Sequence, residues 1–510
     1  MINDKLRFIV SLFLLFVFVG CETHKNNIYE SNKKQTYLQY SDLARVSHLS
    51  LNNDGYIIGI EKRKRDTMGG VPEQYCPDRF ALIPEQDVDN KSKKLIHKRN
   101  NKFKQYTKYS TAMLVTHIAR YFDTPNEDSF NSFRRPYFLY NAYDTYKSDS
   151  LNYEDGYEKL ESLKKLLVKD LKGKINEWRL NRENGERHTV THEKPPYSHI
   201  IIFSMGWNNN QQESIYRYNT ILDNVKKVAV SNNRNNFKPL VIGFTWPSVW
   251  FGIEDSLLKK KTAFISSYFT KQDDADEIGC TIANWVIHNI VLEAKEEVKK
   301  YCLNEFNKDL SPEVITIGHS MGARILSRAI FSQEYIKSGL RNSVSSYHPE
   351  SRSFVKLFIG LQGAFSANRF VVNKGWEGSP YAEFYKYPTF FTLTTSYNDK
   401  ANPAARFFTG AKHVGGKYGL KFAKKEKNAK VFKVIKWTDN YQTDIKTLSS
   451  MSNEDKRKII MIDATKIVDG IDADHGAKKP LDAHNDILDT DMAELIWALI
   501  QNFADYSNMN

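Results

Sequence analysis

Beyond residue 198 the chain alternates between two hydrophobic patterns. Short runs are apolar at nearly every position: HIIIFS (199–204), PLVIGFTW (239–246), EVITIG (313–318), FVKLFIGL (354–361), TFFTLTTS (389–396) and KIIMIDAT (458–465). Strands buried on both faces read this way, because neither side meets water. Between the runs lie stretches with apolar residues at three- and four-residue spacing, over 210–231, 274–306, 322–337 and 491–503. That spacing is helical, and strand–helix alternation predicts an α/β fold with a mostly parallel, doubly wound sheet and flanking helices. Upstream the pattern is mixed. GYIIGIEKRKR (55–65) and DRFALIPEQD (78–87) read as strands ending in charge. Residues 157–183 predict a long amphipathic helix with Leu160, Leu163, Leu166, Leu167 and Leu171 on one face and a solvated charged face. Pro195-Pro196 punctuates the change. An N-terminal α+β extension over 41–194, of no assigned role, is therefore expected before the α/β region over 195–510.

The first 40 residues follow neither pattern. Lys5 and Arg7 precede an apolar stretch from Phe8 to Val19, and Gly20-Cys21 follows. About a dozen apolar residues fall short of the roughly 20 that span a bilayer, so a signal peptide over 1–20 is expected rather than a permanent anchor helix. A small residue before a cysteine at the end of such a stretch resembles the bacterial lipoprotein signal. That resemblance implies cleavage before Cys21, a fatty-acylated (palmitate-type) Cys21 as first residue, and attachment to a membrane of the cell envelope. Phe18 departs from the aliphatic residue usual three positions before the cysteine. An uncleaved anchor and a simple secretory signal are the alternatives. Residues 21–40 are polar and read as a tether.

Composition adds two bounds. Of 510 residues 41% are hydrophobic and 13% aromatic, enough for a sizeable core, and the formal net charge is +13. Such a balance favours anionic partners in general, including lipid headgroups. No nucleic-acid reading motif is present, so a nucleic-acid partner is not expected. Beyond Cys21, only Cys76, Cys280 and Cys302 remain, an odd number that suggests no disulfide framework.

The candidate chemistry starts at Gly318-His319-Ser320-Met321-Gly322. This G-x-S-x-G sits between a predicted strand and a predicted helix, the context in which such a turn lifts a serine hydroxyl above a sheet. Ser320 is the candidate nucleophile; the plain alternative is a small residue in a tight turn. A serine needs a base, and in such a fold the order is serine, acid, histidine. Asp399 follows the 389–396 run and is the candidate acid, with capping of its own turn as the alternative. His484, shortly before the last helix, is the candidate base; His475 and His319 compete, and His319 is expected to pack against the sheet. The segment also holds Asp472, Asp474, Asp482, Asp486, Asp489 and Asp491. Their spacing fits neither a calcium loop nor a zinc helix, so no metal or other cofactor is expected, and acidic residues near a helix N-terminus account for them. For the oxyanion hole the candidates are the backbone N–H groups of Met321 and of Trp207, in Ser204-Met205-Gly206-Trp207-Asn208-Asn209, with Met205 as the fallback.

At these residues the chain resembles the α/β-hydrolase superfamily, and within it a bacterial branch of α/β-hydrolases of unknown function. Members show F-x-H-G-[FY]-N-N, F-S-W-P-S and A-H-S-M-G; here stand FSMGWNN (203–209), FTWPS (244–248) and GHSMG (318–322). Met205 replaces the branch's usual histidine. The resemblance covers roughly 195–505. It implies the α/β-hydrolase fold and hydrolytic chemistry, and leaves the substrate open.

The expected function is a lipid-anchored serine hydrolase of carboxylic esters (esterase- or lipase-like), acting through an acyl-enzyme on a small ester or a lipid. Amide or thioester hydrolysis, and a non-catalytic envelope binding protein on the same scaffold, are the alternatives. Residues 411–437 carry nine lysines and one glutamate. A solvated insertion is the plainer expectation for them; a surface against anionic headgroups is the other.

Overall fold

The computed structural model describes residues 50–62, 113–122, 136–141, 153–183, 197–248, 271–331, 354–371, 381–401, 411–470 and 482–505, apart from positions 208, 273, 382, 400 and 439. The signal segment, Cys21, the tether, the 78–87 run, Cys76, His475, Asp472 and Asp474 lie outside the described residues.

The apolar runs form the centre of one ten-stranded sheet, in the order β3-β2-β1-β5-β4-β6-β7-β8-β10-β9. The strands are β1 (Gly55–Lys62), β2 (Met113–Tyr121), β3 (Tyr137–Asn141), β4 (His199–Ser204), β5 (Pro239–Thr245), β6 (Glu313–His319), β7 (Leu357–Leu361), β8 (Phe390–Thr395), β9 (Phe432–Lys436) and β10 (Ile459–Asp463). Only β2 runs against its neighbours; the pairings from β1 through β5, β4, β6, β7, β8 and β10 to β9 are parallel. The described helices are α1 (Tyr153–Glu183), α2 (Gln211–Ser231), α3 (Leu292–Phe306), α4 (Met321–Phe331), α5 (Lys417–Ala423), α6 (Tyr441–Ser449), a single turn at Asn453–Lys456, and α7 (Thr490–Phe503).

Continuous apolarity of the central strands has a direct reason. In β4, Ile200 and Ile202 enter one core and Ile201 and Phe203 the other. The first core is closed by α1, α3 and α4, through Leu163, Val298 and Ile325 among others. The second is closed by α2 and α7, through Ile221, Leu222, Ile496 and Leu499. Each face of the central sheet is thus roofed, and every residue of β4, β5, β7 and β10 is buried whichever way it points.

The region upstream of residue 195 shares this sheet. Gly55–Gly59 of β1 pairs in parallel register with Val241–Thr245 of β5. On α1, Leu160, Leu163, Leu167 and Leu171 are buried as their spacing predicts, and Leu166 packs at the core's edge. Its charges are not all solvated: Asp170 accepts from Arg120 at 2.7 and 3.0 Å and from the Tyr56 hydroxyl, and Lys172 pairs with Glu297 of α3 at 3.0 Å. These contacts tie α1 to β1, β2 and α3. The change of pattern near residue 195 is a change in the sequence and not a break in the sheet.

Two other elements differ from the expectation. The lysine-rich 411–437 segment contains α5 and β9, and β9 is one of the sheet's two edge strands. Lys433 and Lys436 stand there as edge lysines usually do, where they discourage further strand pairing. Residues 274–306 form one helical run, but it passes through two π-helical stretches, Gly279–Ala283 and Val286–Val291, before α3. Cys280 and Cys302 on this run are both buried, and Arg328 Nε donates to Cys280 Sγ at 2.8 Å.

Burial also sets a pH dependence. His117 in β2 is fully buried, and desolvation lowers its pKa to about 4. Between about 4 and its ordinary 6.5 the unfolded chain binds a proton that the folded chain refuses. Stability is therefore lost as pH falls from 6.5 toward 4, by up to about 3 kcal/mol. Urea midpoints measured from pH 7.5 to 4.5 for the wild type and His117→Asn check this. The wild type is expected to lose stability more steeply, and parallel curves refute it.

Candidate active site

Ser320 sits where β6 turns into α4. Its φ is +54°, in the left-handed region that a non-glycine residue occupies only under constraint. Its N–H donates to Leu361 O at 2.9 Å and its carbonyl accepts from Ala364 N at 3.0 Å. The end of β7 and the residues just past it therefore hold the turn through both backbone groups of Ser320. The second glycine of the motif is required by a close approach: a Cβ at Gly322 would fall 1.9 Å from Ser204 O. The start of α4 can lie against the end of β4 only without a side chain there. Met321 and Gly322 open α4, where the first N–H groups have no intrahelical acceptor.

The loop after β4 reaches the same point. A Cβ at Gly206 would lie 2.6 Å from Ser320 Cβ and 3.2 Å from Ser320 Oγ, so the backbone between Met205 and Trp207 passes beside the serine side chain. Met205, in place of the branch's histidine, is wholly buried in the second core. Trp207 is half-buried and packs on the first core.

The candidate acid and base meet. His484 Nδ1 donates to Asp399 Oδ2 at 2.9 Å across 85 positions of sequence. Asp399 is fully buried just past β8, and its Oδ1 accepts from Ala401 N at 3.0 Å. Asp399 makes both contacts at once: one oxygen caps its own turn and the other accepts from the imidazole. With Nδ1 occupied, Nε2 of His484 is the nitrogen left for a substrate-side proton.

His319 has a part that the sequence did not suggest. Its Nε2 donates to the carbonyl of His484 at 2.8 Å, and the two rings lie 4.9 Å apart. The residue before Ser320 thus holds the backbone of the loop carrying His484 against the serine turn. Burial holds the His319 pKa well below its ordinary value, and the positive potential of His484 and Arg217 adds to this. It stays neutral, with Nε2 committed to a carbonyl. A histidine adjacent to the motif was the only available signal.

The same loop is fixed elsewhere. Arg217 donates to Asn485 Oδ1 at 3.3 Å, Asn224 to Leu488 O at 2.7 Å, and Gly470 N to Asp486 Oδ2 at 2.7 Å. Burial, with Asp489 and Asp469 nearby, pushes the Asp486 carboxyl up to about 6. Asp489 flanks the N-terminus of α7 and Asp491 lies in its first turn, as expected for that dipole. Among the described residues no cluster of histidine, cysteine or carboxylate groups could hold a metal ion. No described helix is long and apolar enough to cross a membrane.

A family described as an alpha/beta hydrolase of unknown function matches residues 182–345. That span holds β4, β5, β6, Trp207 and the Ser320 turn; Asp399 and His484 lie beyond it. No curated protein matches the chain. The sheet order places the serine turn after β6 and the acid after β8, with the histidine beyond β10. By this sheet, and by the family match across residues 182–345, the chain has the α/β-hydrolase fold.

Proposed function

We propose that the protein is a serine hydrolase of carboxylic esters, held at the bacterial cell envelope by a lipid on Cys21. The observation that carries the catalytic reading is the His484–Asp399 pair, fastened through His319 to the turn that bears Ser320. Ser320 Oγ attacks the ester carbonyl carbon as His484 Nε2 takes its proton, and Asp399 stabilises the imidazolium. The oxyanion takes hydrogen bonds from the N–H groups of Met321 and Trp207. Collapse expels the alcohol, which carries off the proton from His484. Water then repeats the sequence and releases the acid. A small ester or a lipid ester meets this chemistry equally; attachment through Cys21 would place the site beside membrane lipid.

A fluorescent fluorophosphonate tests the nucleophile. The wild type is expected to label, with the added mass on the peptide containing Ser320, and Ser320→Ala is expected to stay dark. A folded wild type that does not label removes the reading. A panel of p-nitrophenyl esters, anilides and thioesters then ranks the scissile bond, with esters expected first.

A further inference from the structure

The loop beside Ser320 is held by groups from the two other sequence patterns that the triad leaves unexplained, WNN (207–209) and FTWPS (244–248). Each described carbonyl along it has a donor. Met205 O accepts from Trp246 Nε1 at 2.9 Å, and Gly206 O and Trp207 O accept from Asn209 Nδ2 at 3.1 and 3.2 Å. Two carbonyl partners settle which end of the Asn209 amide faces them, because only nitrogen donates. Asn209 is itself pinned: its N–H donates to Ser248 Oγ at 3.1 Å, and the Ser248 hydroxyl donates to Asn209 O. Asn209 and Ser248 are both buried, so water does not compete for these bonds.

Peptide geometry converts this into a statement about donors. In a planar trans peptide the N–H points opposite to the C=O. With the Met205 and Gly206 carbonyls drawn toward Trp246 and Asn209, the N–H groups of Gly206 and Trp207 turn the other way. Gly206 is where the loop touches Ser320. We infer that Asn209, Ser248 and Trp246 are positioning residues that hold the 205–207 backbone with the Trp207 N–H aimed at the developing oxyanion. The inference rests on the serine-hydrolase reading and deepens it. It also gives Met205 a reduced part. The branch's histidine is absent here, and the loop is ordered through the Met205 carbonyl, which does not depend on the side chain.

The test compares the wild type with Ser248→Ala, Ser248→Thr and Asn209→Asp. Three quantities are read: the fluorophosphonate labelling rate, kcat and KM on p-nitrophenyl acetate, and the preference for an ester over its thionoester. Loss of a whole oxyanion donor costs about 10²–10³-fold, so a donor left present but misaimed is expected to cost about 10–100-fold in labelling rate and kcat. KM is expected to move by less than about threefold, because the interaction is made in the transition state. Ser248→Thr keeps the hydroxyl and is expected to recover most of the rate. The oxygen-over-sulfur preference is expected to shrink in Ser248→Ala and Asn209→Asp, which a simple loss of stability does not cause. If the wild type labels and the variants label as fast, or lose rate with the preference unchanged, the inference is overturned alone. A folded wild type that fails to label overturns the hydrolase reading, and the inference with it.

Discussion

Replacing Asp399 by asparagine is expected to lower kcat on a p-nitrophenyl ester by about 10⁴-fold, and replacing His484 by alanine by at least as much. The reason for the first is tautomeric. Asp399 Oδ2 accepts from His484 Nδ1 at 2.9 Å, which leaves Nε2 bare to take the serine proton. An asparagine in the same place presents an N–H to Nδ1 and drives the ring proton onto Nε2, where it blocks the base. The other Asp399 oxygen caps Ala401 N at 3.0 Å, and asparagine keeps that bond, so the fold is expected to survive. The double variant is expected to fall little further than either alone, because the two groups act as a unit. His475→Ala separates the competing assignments, with activity retained if His484 is the base. A His484→Ala enzyme within about tenfold of the wild type ends the proposed triad.

Asp276→Ala is expected to cost about 3–5 kcal/mol of stability, the usual penalty for leaving a buried charge without its partner. Asp276 lies on the helical run before α3 with only 3% of its surface exposed. Arg324 of α4 grips it in bidentate fashion at 2.9 and 2.6 Å, and Arg369 reaches it at 3.2 Å. Burial works against its charge, but the two guanidinium groups overcome this and hold the carboxyl well below the usual carboxylate range. Removal takes this carboxylate away from two arginines that are each only 2% exposed. The consequence reaches the site, because Arg324 also donates to Ala364 O at 3.3 Å and Ala364 N holds the Ser320 carbonyl. Urea unfolding at pH 7 measures the loss; a change under about 1 kcal/mol shows that the arginines find other partners.

These two expectations draw on different kinds of information. Asp399 and His484 could be named from order along the chain, since each follows an apolar run at the address such a site uses. Asp276 could not. It stands in a helical pattern with nothing to mark it, and its meaning depends on Arg324 and Arg369, 48 and 93 positions away. Asn209 and Ser248 are intermediate: their motifs stood out, but their bonds to the loop carbonyls and to each other appear only in space. His319, buried at the end of β6, also carries the tie between the serine turn and the histidine loop, which its position in the sequence does not reveal.

The sequence by itself determined the central sheet and the serine turn. Apolar runs with no polar side specify strands roofed on both faces, and two glycines around Ser320 specify a turn whose neighbours approach too closely for side chains. Both follow from a few consecutive residues, so they are legible locally. Tertiary structure alone decided that β1, β2 and β3 join this sheet, that the lysine-rich segment supplies one of its edges, and which buried polar atoms meet. Periodicity records how much of a residue is buried and not against whom. A buried carboxylate, imidazole or amide is tolerated only with its partner in place, and the fold alone supplies that partner.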